Sequence, residues 1–173
     1  DRWEEDYRTK RYDSKGKKPP DGWKDRYSEP GSVDPSELPS IPSTWKWVRF
    51  EQISLLDSGY AFSSDKFNDE GMPLLRGANV APGHLKWGDT EYWPEDEVSP
   101  YEHLIVEEGD IILAMDRPLI NAGLKIARAE ESDTPCLLVQ RVARFKPVFK
   151  SLTPFLYLTC CTQRFIAHLR EGQ

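Results

Sequence analysis

The sequence predicts an α+β protein: a compact β-rich domain with a mixed or antiparallel sheet and short helices, preceded by an extended linker and followed by an amphipathic helix. Three observations predict it. Short apolar runs closed by Gly, Pro, Asp or Asn fill the middle of the chain, which is the signature of strands and tight turns. Proline and glycine crowd the segment before them, and apolar residues at helical spacing follow them.

The elements follow in order. Asp1 to Arg11 mixes both charges, with Trp3 and Tyr7 four apart, which suits an exposed helix with one aromatic edge. Gly16, Pro19, Pro20, Gly22, Pro30, Gly31, Pro35, Pro39 and Pro42 then exclude a long helix and leave a partly polyproline-like connector, expected to be pinned by Trp23 and Tyr27. Residues 1–43 are thus a helical start and linker. The β-rich domain is expected over 44–152. Trp45, Trp47, Val48 and Phe50 open it in a strand-like pattern, and the runs Leu55 to Phe62, Pro73 to Val80, Leu85 to Trp93, Asp110 to Met115, Gly123 to Ala129 and Cys136 to Phe145 follow. A short helix is expected around Glu95 to Leu104, with Pro94 at its first turn and acidic residues near its N-terminus. Over 153–173 the spacing predicts a helix capped by Thr153, with Pro154 at its first position and an apolar stripe of Phe155, Leu158, Phe165, Ile166 and Leu169 running on to Gly172. That stripe is a candidate subunit interface.

Length and composition narrow the function classes. A chain of 173 residues is one domain's worth, and 38% hydrophobic with six Trp, seven Tyr and seven Phe is too aromatic for disorder. No apolar run approaches the ~20 residues that span a bilayer, so no membrane partner is expected. Asp1 to Lys18 offers no apolar stretch that would make a signal peptide. Cys136 stands alone and Cys160 and Cys161 are adjacent, a pattern of reduced thiols in a cytoplasmic protein with the vicinal pair on two faces of a helix. His84, His103 and His168 are scattered, so no metal site is expected. The net charge of −6 argues at first against nucleic acid. The acidity is local, however: residues 51–110 hold 3 basic and 14 acidic groups, whereas residues 111–173 hold 9 and 5.

A search for catalysis finds no residues to carry it. The phosphate-cradling glycine loops, the Gly-x-Ser-x-Gly elbow and the Pro-Pro-Tyr/Phe signature of amino-methyltransferases are all missing. The carboxylates between Glu91 and Asp110 read as a solvated acidic face. Three stretches do depart from what a plain sheet needs. Ser58 to Ser64 places an aromatic and hydroxyls after a glycine. Leu74 to Val80 leads apolar residues into Arg76 and Asn79. Gly109 to Ala127 delivers Arg117 from a buried strand into a turn and returns through Asn121 and Lys125.

These stretches carry a resemblance. Leu38-Pro-Ser-Ile-Pro-Ser-Thr-Trp-Lys-Trp-Val-Arg-Phe50, the Ser58 to Phe62 loop, Gly109-Asp-Ile-Ile-Leu-Ala-Met-Asp-Arg-Pro118, Gln140-Arg-Val142 and Pro154-Phe-Leu-Tyr157 before a helix resemble a target-recognition domain of type I restriction-modification specificity (S) subunits. The leading segment resembles the stretch joining the central helix of such subunits to their second recognition domain, which implies the C-terminal domain of two. The resemblance implies a non-catalytic, DNA-binding specificity domain with no cofactor of its own. It would read one half of a bipartite site in double-stranded DNA. Methyltransferase (M) and restriction/translocase (R) subunits would be its partners, and those would use S-adenosylmethionine and ATP.

Residue chemistry then assigns expectations. Arg117 and Arg76 suit guanine O6 and N7, and Asn79, Asn121 and Gln140 have the amide fork that suits adenine. Lys125, Arg141, Ser63 and Ser64 suit phosphate, and Tyr60 is placed to stack beside a displaced base. Structural roles compete, with Arg117 bracing its turn through Asp116 and Gln140 capping backbone within a strand. Two other readings stand beside this one. One is the recognition domain of a fused restriction-methylase enzyme. The other is a protein- or carbohydrate-binding module, favoured by the exposed-looking Trp87, Tyr92 and Trp93.

Overall fold

The computed structural model describes residues 31–171 together with Thr9, Tyr12, Asp13, Lys17, Lys18, Asp21 and Gly22. Of the helix expected over Asp1 to Arg11 only Thr9 is described, and Trp3, Tyr7, Trp23, Tyr27 and Gly172 lie outside the described residues.

The described residues form two four-stranded sheets and two small hairpins. The first sheet has the order β1 (Ser54–Ser58), β12 (Val142–Pro147), β7 (Ile111–Ala114), β10 (Ile126–Arg128), antiparallel throughout. The second has the order β5 (Tyr92–Trp93), β2 (Met72–Leu75), β11 (Cys136–Leu138), β6 (Ile105–Val106), in which β2 and β11 run parallel. The hairpins are β3 (Val80–Ala81) with β4 (His84–Leu85), and β8 (Leu119–Ile120) with β9 (Gly123–Leu124). The mixed sheet predicted from short turn-bounded runs is therefore present.

Alternation along the strands explains the layering. Successive side chains of a strand point to opposite faces. Ile112, Ala114 and Val142 turn toward the second sheet and join Leu74, Leu75, Val106, Leu137 and Leu138 in one core. Ile111, Leu113, Ala143 and Phe145 turn the other way and join Leu156 and Cys160 in a second core. The central strand β7 is thus buried on both faces, which is why Ile111 to Ala114 reads as an unbroken apolar run.

The two sheets are also stitched by close backbone approach. Gly59 N–H donates to the Val142 carbonyl at 3.2 Å, and Tyr60 N–H donates to the Leu138 carbonyl at 3.2 Å. A Cβ on Gly59 would collide with the Leu138 and Val139 carbonyls, so only glycine fits this crossing.

Three local expectations are corrected. Trp45 to Phe50 is not a strand: its main chain pairs with no strand among the described residues, and it ends in a 3-10 turn at Phe50–Gln52. The Trp47 indole N–H instead donates to the Pro39 carbonyl at 3.2 Å, and Arg49 Nε donates to the Gly31 carbonyl at 2.9 Å. This segment folds back on the linker rather than entering a sheet, while Phe50 stacks edge-on against Phe145 at 5.1 Å. The helix expected around Glu95 to Leu104 is two 3-10 segments, Glu95–Glu97 and Ser99–Leu104, the second with proline in its first turn.

The C-terminal helix is two helices, α1 (Thr153–Cys160) and α2 (Gln163–Glu171). Thr153 is the first helical residue and makes no capping bond. The break at Cys161 and Thr162 has a chemical cause. Thr159 Oγ1 donates back to the Phe155 carbonyl at 2.8 Å, Thr162 Oγ1 donates to the Thr159 carbonyl at 2.7 Å, and the Phe165 N–H donates to Thr162 Oγ1 at 3.3 Å. Hydroxyls competing for helix carbonyls end the first helix, and the second begins on one. The predicted stripe is split accordingly: Phe165, Ile166 and Leu169 pack on the second core, while Phe155 and Leu158 face solvent and Leu156 and Cys160 face inward. Cys160 is buried and Cys161 exposed, as opposite faces require.

Candidate nucleic-acid interface

Topology gathers three turns that are far apart in sequence. Because β2 and β11 are parallel, their C-terminal ends, Leu75 and Leu138, lie at one edge, and Val139 N–H donates to the Leu75 carbonyl at 3.2 Å. Because β7 and β12 are antiparallel, the end of β7 meets the start of β12, and Met115 N–H donates to the Arg141 carbonyl at 2.8 Å. Arg76, Arg117 and Arg141 follow those strand ends.

The turns enclose an open cleft of about 760 Å³, lined among others by Arg76, Lys86, Arg117, Lys125, Gln140 and Arg141. Five of the ten residues expected to touch DNA line this one cleft: Arg76, Arg117, Lys125, Gln140 and Arg141. Arg117 and Arg141 hold left-handed backbone, with φ of 45° and 61°, and among the described residues no other non-glycine residue does. Left-handed backbone costs an ordinary L-residue about 1–2 kcal/mol. Strain of this kind concentrates at functional positions.

The charge of the cleft is only partly neutralised. Arg141 Nη1 lies 3.6 Å from Asp116 Oδ2, a solvent-exposed pair of little energetic weight. Arg76 is braced: its Nη2 donates to the Asp89 carbonyl at 2.6 Å and its Nη1 lies 3.5 Å from Glu91 Oε1, while its buried Nε has no partner. Burial pushes the Lys125 amine below the ordinary lysine value, and the neighbouring Lys86 and Arg117 push it the same way against Asp116. Crowded cations of this kind favour an anionic ligand.

The remaining predicted residues lie elsewhere. Asn79 is buried, with Oδ1 accepting from Arg76 N–H at 3.0 Å and Nδ2 donating to the Lys86 carbonyl at 3.0 Å. Its amide is spent inside the fold, where it ties two cleft-lining segments together, so the base-reading role expected of it is corrected to a supporting one. Asn121 is exposed in the turn of the β8–β9 hairpin, next to the cleft-lining Ile120. Gln140 lies in a turn rather than in a strand, and its N–H donates to the Tyr60 carbonyl at 2.8 Å beside the Tyr60–Val139 bridge. The Tyr60 ring leans on Phe62 at 5.3 Å and Tyr101 at 5.0 Å and does not line the cleft. Ser63 and Ser64 are exposed at the start of a 3-10 turn, Ser64–Lys66, also outside the cleft lining.

Sequence reasoning missed Lys86, whose neighbours Leu85 and Trp87 turn inward and leave it exposed; strand alternation was the available signal. The aromatic trio of the alternative module is not an exposed platform. Trp93 is buried, and the Trp87 indole donates to Asp133 at 2.8 Å. Among the described residues no His, Cys, Asp and Glu cluster could hold a metal ion, and no helix is long and apolar enough to cross a membrane.

No protein-family model matches the chain. The type I restriction enzyme EcoAI specificity subunit of Escherichia coli is 47% identical over 134 residues, 77% of this chain. The chain belongs to the type I restriction specificity subunits. A second such subunit, MjaVIII of Methanocaldococcus jannaschii, is 36% identical over 120 residues, 69% of this chain. The chain spans about a quarter of these specificity subunits, the matches covering 23% and 28% of their lengths. Among solved structures, the HsdS subunit of Thermoanaerobacter tengcongensis matches over 75% of this chain and 33% of its own, at 18% identity and a TM-score of 0.48. A chain from a type I R-M system studied for complex assembly and conformational transition matches over 94% and 37%, at 16% identity and a TM-score of 0.49.

Proposed function

We propose that this chain is a DNA target-recognition domain, the C-terminal one of two in its specificity subunit, which reads one half of a bipartite duplex sequence. The observation that carries the reading is the convergence of Arg76, Lys86, Arg117, Lys125 and Arg141 on one cleft in a chain of net charge −6. A domain so acidic elsewhere concentrates its cations where phosphate and base edges would meet it.

Within that reading Arg117 bonds guanine, and Gln140 and Asn121 offer their amides to adenine. Lys125, Lys86 and Arg141 take phosphates and set the register, with Arg76 held at the rim by Asp89 and Glu91. Ser63 and Ser64 give outlying hydroxyls to the backbone, and the half-exposed edge of Tyr60 stands ready for a displaced base. Methylation and cleavage belong to the M and R subunits, which the domain directs without a cofactor of its own, in the cytoplasm. The exposed Phe155 and Leu158 of α1 meet the rest of the subunit or its methyltransferase partner, while Phe165, Ile166 and Leu169 anchor α2 on the second core.

The test is electrophoretic shift of the assembled complex carrying Arg117→Ala. A loss of about 1–3 kcal/mol at one base pair is expected. An unchanged specificity profile would remove Arg117 from the reading surface.

A further inference from the structure

We infer that Ile120 is a specificity-determining contact that reads the C5 methyl group of a thymine in the major groove. This rests on the DNA-reading role of the cleft and deepens it.

The β8–β9 hairpin is a two-stranded ribbon in which Leu119 pairs with Leu124 and Ile120 with Gly123. Leu124 is buried in the second core and Leu119 packs against it. Alternation sends Ile120 to the opposite side, where it lines the cleft and remains 46% exposed. Its cross-strand partner has no side chain, and a Cβ at Gly123 would sit 3.7 Å from Pro82 Cβ, so the ribbon backbone lies against another cleft-lining residue. A large aliphatic side chain thus stands uncovered among Arg117, Lys125 and Arg141.

An apolar protein partner is a poor occupant of that position, because seating it there would strip water from three cations that share a single nearby carboxylate, Asp116. Duplex DNA meets both demands at once, with phosphates for the cations and one apolar feature on its base edges, the thymine methyl in the major groove. Strands lie about 4.8 Å apart, so a two-stranded ribbon with side chains fits the ~12 Å major groove and not the ~6 Å minor groove. Asn121 and Ala122 lead at the turn and Ile120 follows on the flank. It therefore meets a base edge from the side, whereas a wedge that splits a base step must be the foremost group.

The experiment uses the full-length parent subunit assembled with its methyltransferase partner. A random duplex pool selected by that complex defines the half-site, and each thymine is then replaced by deoxyuridine, which removes the methyl alone. One position should lose about fourfold in affinity, the worth of one buried methyl group. Ile120→Ala should lose a similar factor on the thymine duplex and nothing further on the uracil duplex, and Ile120→Val should fall between. A half-site without thymine, a flat uracil scan on a complex that still selects its site, or a scan unchanged by Ile120→Ala would each overturn the inference. A flat scan with an altered DNA bend in Ile120→Ala would make the residue a wedge and overturn it too. A complex that selects no sequence at all would overturn the wider DNA reading instead.

Discussion

Arg141 and Arg144 stand three residues apart in sequence and in opposite surroundings. Arg144 is 1% exposed, and its guanidinium donates to Asp57 at 2.7 and 3.0 Å, to the Ile105 carbonyl at 2.6 Å, to the His103 carbonyl at 3.0 Å and to Asp110 at 3.4 Å. Those acceptors come from β1, from the turn before β7 and from the entry to β6, so one side chain joins the two sheets. In the cleft, Arg117 and Arg141 are exposed on strained backbone, while Arg76 is half-buried and braced at the rim. A saturated guanidinium holds structure, whereas an exposed one with spare donors is available to a ligand.

That contrast can be broken from either side. Arg144→Ala leaves the Asp57 and Asp110 carboxylates buried without their cation, and a loss of about 3–5 kcal/mol in urea unfolding is expected. A loss below about 1 kcal/mol would show the hub to be dispensable. Arg117→Gly should move stability the other way, gaining about 0.5–1 kcal/mol by relieving the left-handed backbone against the entropy of glycine, while DNA affinity falls. A stability loss equal to that of Arg144→Ala would erase the distinction. The smallest effect is expected at Lys86: alanine there should lower the slope of log affinity against log salt by about one, alike on every duplex tested. A change confined to one sequence would make Lys86 a base reader.

The difference also marks what the sequence made legible. Ile111 to Ala114 followed by Met115-Asp-Arg117 announces a buried strand delivering a cation to an edge, because burial on two faces and a proline-stopped turn are local signals. Arg144 carries no such sign. Val142 to Phe145 reads as a buried strand, and only the pairing with Asp57 and Asp110, 87 and 34 positions away, accounts for a charge in the core. Asn79 misleads for the same reason, since its two bonds depend on how the Arg76 turn meets Lys86. The helix break escaped the apolar spacing because two hydroxyl-to-carbonyl bonds and one amide-to-hydroxyl bond decide it, and those act locally without disturbing its periodicity.

The parallel pairing of β2 with β11 has an evolutionary corollary. It leaves the loops that begin at Arg76 and Gln140 on the same rim as the end of β7 and the start of β12, while much of the two cores is carried by the strands behind them and by α1. Exposed residues on that rim can be exchanged with less disturbance to the scaffold than the buried Asn79, which ties two of its segments together. On the DNA-reading role proposed above, substitution or recombination at that one edge would change specificity while most of the folding information is inherited unchanged.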